Sequence, residues 1–269
     1  MEKNNVRREE LVKKYFIKTP EKPKYLGNQV LMGLGAILLV YGLTNRGVGG
    51  FITDIAGLAL LLKGFLNFSK KKSRYEEKFA AAEPKASDQQ MDQWLKEYRD
   101  NIVKEARARL DIDEEDTSAN PWMIDGPAKD TKWGKGIDKV LRFGQHDILL
   151  FFLTQHHVAT FQCILDLATG LTLLDQTKEF PYKDITNLEI ATQNNEVTYI
   201  YGKKVDVYGK QTFSLFTSGA NRISVNYFFE KSTDSSRDYI LPPSDADNTI
   251  RAVRKRLKEY KDRFGASGN

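Results

Sequence analysis

Two apolar segments, Asn28 to Thr44 and Val48 to Phe68, follow one another with only three residues between them. The first, NQVLMGLGAILLVYGLT, carries no charge. A bilayer core takes roughly 20 helical residues, with a lower limit near 17, so this run is just long enough to span. The second, VGGFITDIAGLALLLKGFLNF, has Asp54 near its start and Lys63 near its end. There a carboxylate reaches one interface and a lysine snorkels toward the other. The link, Asn45 to Gly47, is too short for a folded domain and holds a single cation, Arg46, so it reads as a hairpin tip. Eight Lys or Arg lie in the first 26 residues, and Lys70, Lys71, Lys72, Arg74 and Lys78 follow the second run. The positive-inside rule then predicts a multi-pass protein of the cell (inner) membrane with both termini in the cytoplasm. A buried helical hairpin of a soluble protein is the competing reading, and the flanking lysines count against it.

Gly35 and Gly42, like Gly57 and Gly64, are seven apart and share a helix face. This spacing predicts a close antiparallel pair, with these four glycines at the interface. The basic residues beside the hairpin, Arg7, Arg8, Lys13, Lys14, Lys70, Lys71, Lys72 and Arg74, form an expected membrane-surface set. Much of the net charge of +5 lies here and in the last helix, which fits an anionic leaflet better than a nucleic-acid track, so no nucleic-acid partner is expected. The single cysteine, Cys163, allows no internal disulfide and sits among apolar neighbours, as a core thiol does.

Residues 1 to 26 form a basic N-terminal segment. In it Leu11, Val12, Tyr15 and Phe16 fall at helical spacing among the cations, the pattern of a surface-lying amphipathic helix or of a simple basic tail. The hairpin occupies 27 to 68 and a linker 69 to 137. Within the linker Ser87 and Gln90 form a capping box for a helix over 87 to 110. Its stripe of Met91, Leu95, Tyr98, Ile102 and Ala106, with Trp94 beside it, needs a cover: the C-terminal domain first, another copy second. The acidic run Asp111 to Asp116 and the breaks at Pro121 and Gly126-Pro127 mark the rest as connection, with Trp122 and Trp133 in a flap.

From Lys139 the pattern changes to short runs rich in β-branched and aromatic residues: 139–143, 147–155, 158–167, 171–174, 185–191, 196–201, 205–208, 211–216 and 222–229. Turn residues separate them, Ala168-Thr169-Gly170 and Asn194-Asn195 among them. Ser244 or Asp245 then caps a helix whose apolar face is Ile250, Val253, Leu257 and Tyr260. Arg251, Arg254, Lys255, Lys258 and Lys261 line its other sides, the first four as a candidate lipid or partner surface.

About seven strands and then one amphipathic helix is the order of pleckstrin-homology-like domains. The segment FPYKDITNLEI at Phe180 to Ile190 resembles a recurring strand of bacterial PH-like and GRAM-type domains, and QTFSLFTSG and DADNTIRAVRKRLKEY fall where that family places a late strand and its capping helix. The resemblance covers residues 138 to 262. It implies an α+β chain: a two-helix transmembrane hairpin, an amphipathic linker helix, and a PH-like bent antiparallel β-barrel over 138 to 264 capped by the C-terminal helix. Proteins of this kind in bacteria often join such a domain to a membrane hairpin. The chain departs from the family in its long 232–244 loop and in lacking a clear basic phosphoinositide pocket.

The three histidines, His146, His156 and His157, show no metal-ligand spacing, and the adjacent pair would face opposite ways in a strand. Asp166 and Asp175 bracket a predicted hairpin as turn residues, no phosphate loop ends in Gly-Lys-Ser or Gly-Lys-Thr, and Ser214, Ser218 and Ser224 lack a nucleophile elbow. No catalytic residue, metal or cofactor is expected. The sequence predicts a non-enzymatic, membrane-anchored adaptor whose PH-like domain docks a protein, with homo-oligomer formation as a further expectation. A lipid-sensing module for anionic headgroups and a cryptic hydrolase are the alternatives.

Overall fold

The computed structural model describes residues 2–45, 47–113, 121–193, 196–201, 203–207, 209–219, 221–228, 239–242 and 244–264. Arg46 at the predicted hairpin tip, the acids at 114–116, the Asn194-Asn195 turn and most of the 232–244 loop lie outside them. The helices are α1 (Glu2–Tyr15), α2 (Leu26–Thr44), α3 (Val48–Ala82), α4 (Asp88–Leu110) and α5 (Ala246–Phe264). The strands are β1 (Trp122–Pro127), β2 (Trp133–Lys135), β3 (Leu141–Phe143), β4 (Gln145–Leu153), β5 (His157–Asp166), β6 (Thr172–Pro181), β7 (Ile185–Gln193), β8 (Glu196–Ile200), β9 (Lys203–Val207), β10 (Lys210–Thr217) and β11 (Arg222–Phe228). The chain divides into two compact units, Ile17–Pro84 and Met1–Phe16 with Lys85–Asn269.

The smaller unit is the α2–α3 hairpin, and both helices are long and apolar enough to cross a membrane. Helix α3 runs well past the expected end at Phe68. Its extension, SKKKSRYEEKFAAA, consists largely of good helix formers and carries a Lys72–Glu76 pair one turn apart.

The larger unit is α+β, with β1-β4-β5-β6, β11-β10-β7 and β3-β2-β8-β9 as the strand orders of three sheets. Among the described residues the strand pairings are antiparallel apart from the parallel contact of Trp133 with Ile200, and an isolated parallel bridge joins Val140 to Ile240. Strand β4 carries five successive apolar residues, Ile148 to Phe152, all buried, so its sheet must be covered on both faces. On one face Leu149 and Phe151 join Phe213, Tyr227 and the Ile250, Val253 and Leu257 face of α5. On the other, Ile148, Leu150 and Phe152 meet Ile102 and Ala106 of α4, with Phe161 and Cys163 from β5. Gly126 lies against the Asn226 carbonyl, where any side chain would collide, and this brings β1 close to β11.

Helix α4 begins at the expected capping box, in which Ser87 and Gln90 satisfy each other's backbone N–H groups. Two ion clusters fasten it. The Arg99 guanidinium donates to Asp125 (Nε to Oδ2, 2.8 Å), whose other oxygen accepts from His146 Nδ1 at 2.9 Å. Arg142 donates through two nitrogens to Asp92, at 2.7 Å each, and through two to Asp138, at 2.8 and 3.0 Å. Nearby, the Tyr15 hydroxyl donates to Asp88 at 2.8 Å, which ties α1 to the start of α4.

Residues 121–137 are not simply linker. Trp122–Pro127 pairs along β4 from Phe151 to His146, and Trp133 is buried against Phe143 and Phe228. The segment looks like turn because Asp125, Gly126 and Pro127 all disfavour strands. A ready ladder on β4 and charge compensation of Asp125 by Arg99 and His146 override that preference. Strand β6 also outruns its expected stretch of 171–174, because its polar, largely exposed residues form a sheet edge without apolar alternation.

Two buried carboxylates give stability opposite pH dependences. Burial alone would raise the Asp125 carboxyl, but His146 and Arg99 hold it down at about 2, from an ordinary 3.8. Because the folded value lies below the unfolded one, about 2 kcal/mol of stability is present above pH ~4 and is lost as pH falls toward 2. Burial pushes Asp147 up to about 6, only partly opposed by the Gln162 amide at 2.8 Å. The fold therefore prefers this carboxyl neutral, and stability falls by at most about 3 kcal/mol as pH rises from ~4 through 6. Asp147→Asn should raise the thermal midpoint at pH 7 and leave it nearly unchanged at pH 4. Thermal unfolding followed by circular dichroism at both pH values tests this, and equal gains at both would refute it.

Candidate functional site

In the hairpin seam glycines of each helix pack against backbone and side chains of the other. Gly35, Gly42, Gly57 and Gly64 are all buried between α2 and α3. A Cβ on Gly57 would stand 2.8 Å from the Gly35 carbonyl oxygen, and one on Gly64 2.7 Å from the Met32 side chain. Asp54 packs against Gly42, so its carboxylate is turned into the seam. At the open end the Tyr25 and Phe68 rings lie 4.8 Å apart. Outward-facing Leu34, Ile37, Val40, Ile55, Leu62 and Phe65 remain exposed.

The surface set beside the hairpin divides. Arg7, Lys70, Lys71, Lys72 and Arg74 are exposed. Arg8 instead faces α4, donating to Glu97 and to the Tyr98 hydroxyl, both at 3.0 Å, with its guanidinium 4.9 Å from the Trp94 ring centroid. Lys13 and Lys14 pair with Glu9 and Glu10 one turn away. The apolar face of α1 is also taken, since Val12 and Tyr15 are buried with Met91, Ala86 and Leu167. The reading of this segment as a helix lying on a bilayer is corrected accordingly: its apolar side is consumed within the protein. The Met91, Trp94, Leu95, Tyr98 and Ile102 stripe of α4 is covered in the same way, by α1 at one end and the β1-β4-β5-β6 sheet at the other.

Helix α5 carries exposed basic residues, Arg251, Arg254, Lys255 and Lys258. Arg256 holds the helix in place, donating to the Thr154 carbonyl at 3.1 and 3.3 Å, and the Tyr182 hydroxyl donates to the same carbonyl at 3.0 Å. The four basic residues expected to form one surface fall on two flanks. Arg251 and Lys255 stand beside the half-exposed Trp122. Arg254 and Lys258, joined by Lys261, line a groove of about 350 Å³ between α5 and the start of β7, floored by Ile185 and Leu188. Strand β7 is the edge of its sheet, paired with β10 on one side and with no described strand on the other. No ion pair joins Arg254, Lys258 or Lys261 to another described residue. The groove thus sets Arg254, Lys258 and Lys261, together with Asp262, beside the edge of β7. Lys261 is legible in the sequence as part of the basic side of α5, but its place beside the β7 edge is not, because only the packing of α5 brings the two together.

The residues considered for chemistry do not assemble. The described residues hold no cluster of three or more His, Cys, Asp or Glu suited to a metal. His146 belongs to the α4 clamp and His157 to the Thr154 turn. Asp166 caps its turn by accepting from the Ala168 and Thr169 N–H groups, while Asp175 pairs with Arg109 at 2.6 Å. Cys163 is fully buried, and burial pushes its thiol up to about 12, out of the range of a nucleophile at neutral pH. Compared with known protein families, with curated proteins and with solved structures, the chain finds no match.

Gly57→Leu should force α2 and α3 apart, whereas Gly33→Leu, at a position with nothing within 4 Å, should not. Spin labels at Lys24 and Ser69 on the chain in nanodiscs read the difference: a gap wider by several ångströms is expected only for the Gly57 variant. Equal distances in both variants would show that the seam does not depend on glycine.

Proposed function

We propose that the chain is a non-enzymatic membrane adaptor. The α2–α3 hairpin anchors it in the cell membrane with both termini cytoplasmic, and the larger unit is a PH-like barrel plugged by α5 that docks an acidic, extended segment of a partner protein. The observation that carries this reading is the groove in which Arg254, Lys258 and Lys261 run beside the unpaired edge of β7. The hairpin supports the anchor: its apolar side chains face outward and its glycines face inward, the reverse of a soluble protein's core. Two sheets enclosing one core with a helix at its open end support the barrel. Binding of anionic headgroups is the second reading, favoured by the basic residues on both flanks of α5.

Topology is tested with Asn45→Cys and Glu83→Cys, because the native Cys163 is buried and stays silent. A membrane-impermeant maleimide should label Asn45→Cys in intact cells and Glu83→Cys only after permeabilisation, and the opposite pattern would invert the orientation. A photocrosslinking residue at Thr186 in the full chain tests docking. The expected result is a salt-sensitive protein adduct lost in the Arg254→Glu, Lys258→Glu double variant. An adduct to lipid would support the headgroup reading, and a protein adduct indifferent to the charge reversal would remove the groove from consideration.

A further inference from the structure

A second cavity, of about 350 Å³, lies beneath α4, apart from the basic groove. That volume falls at the lower end of the ~300–1,000 Å³ range of small-molecule sites. Its apolar walls come from Met91 and Leu95 of α4, Leu141 and Phe143 of β3, and Phe228 at the end of β11. His146 also lines it, with its side chain 94% buried (6% exposed) and its ring edge-on to Phe143 at 5.5 Å between centroids.

The protonation pattern of this histidine follows from its neighbour. The Asp125 carboxylate is doubly held by Arg99 and is an acceptor, so Nδ1 of His146 carries the hydrogen that it donates at 2.9 Å. Nε2 has no hydrogen-bond partner among the described residues. Nε2 remains reachable by a water-sized group from a cavity that Asp92, Arg99, Asp138 and Arg142 also line, and a ligand hydroxyl can take that place and bond to it. The charges around the cavity restrict that ligand further. Arg99 is engaged by Asp125, and Arg142 by Asp92 and Asp138, so a free anion would meet carboxylates and no unpaired cation.

We propose that this cavity binds a small, neutral, largely apolar molecule bearing a single hydroxyl, which bonds to Nε2 of His146 while its body packs against Leu95, Leu141, Phe143 and Phe228. A hydroxyl both donates and accepts, so the bond forms whichever way Nε2 is protonated. The site is distinct from the docking groove and stands whether or not that groove takes a protein.

The test uses the full chain in nanodiscs with ¹⁵N-labelled histidine, and 4-fluorophenol and fluorobenzene as probes alike in size and differing in the hydroxyl. 4-Fluorophenol should shift the His146 Nε2 resonance saturably and leave exposed His156 unmoved, while fluorobenzene should not reproduce the shift. Bound ¹⁹F signals should show 4-fluorophenol preferred by about tenfold, a preference expected to vanish in His146→Phe. Leu95→Trp, which fills the cavity, should abolish binding of both probes. A His146 resonance that stays fixed at millimolar 4-fluorophenol, or that moves only in step with His156, would overturn the proposal without recourse to either variant.

Discussion

The larger unit is organised by one constraint: β4 carries apolar side chains on both faces of its sheet through Ile148–Phe152. A strand alternates its side chains, so five successive buried residues demand a cover above and below. Helix α5 and the β11-β10-β7 sheet supply one cover and α4 the other. Burying a large aliphatic or aromatic side chain contributes about 1.5–3 kcal/mol, so leaving either face open would forfeit several such terms. The domain therefore cannot begin after α4, because without α4 the outer face of its central sheet would meet water.

Fastening α4 has chemical consequences. A helix held by apolar contact alone could slide along the sheet, and the Arg99–Asp125–His146 and Arg142–Asp92–Asp138 clusters fix its register. Buried ion pairs of this kind are weak contributors to stability when complete and strongly destabilising when one partner is lost. The charges leave between them a space lined mainly by hydrocarbon, and they orient a histidine that lines that space. One helix thus closes the outer core, engages α1 and shapes the cavity.

The hairpin unit obeys the opposite packing rule. In the larger unit bulky apolar residues interlock inside, whereas α2 and α3 turn many of theirs outward and approach each other closely at glycines. Where the surroundings are as apolar as Leu, close backbone approach replaces hydrophobic burial as the source of association. The outward apolar faces of α2 and α3 are those that a pair of helices long and apolar enough to cross a membrane would present to it.

The sequence by itself determined the features that depend on neighbours within a few residues. The two apolar helices, the Ser87–Gln90 cap, the strands from β4 onward apart from most of β6, and the apolar face of α5 are legible as periodicity, length or turn chemistry, because the forces that create them act locally. The glycine spacing in α2 and α3 is legible for the same reason. Tertiary structure alone decided the rest. Strand β1 exists because β4 offers an edge and because Arg99 and His146 neutralise Asp125 from 26 and 21 residues away. The apolar side of α1 reads equally well as membrane-facing or core-facing, and only the presence of α4 and Leu167 settles which surface it meets. The basic groove and the cavity beneath α4 likewise join residues with no sequence relation. Their geometry is set by how helices cross sheets, a property of the packed whole that no local pattern encodes.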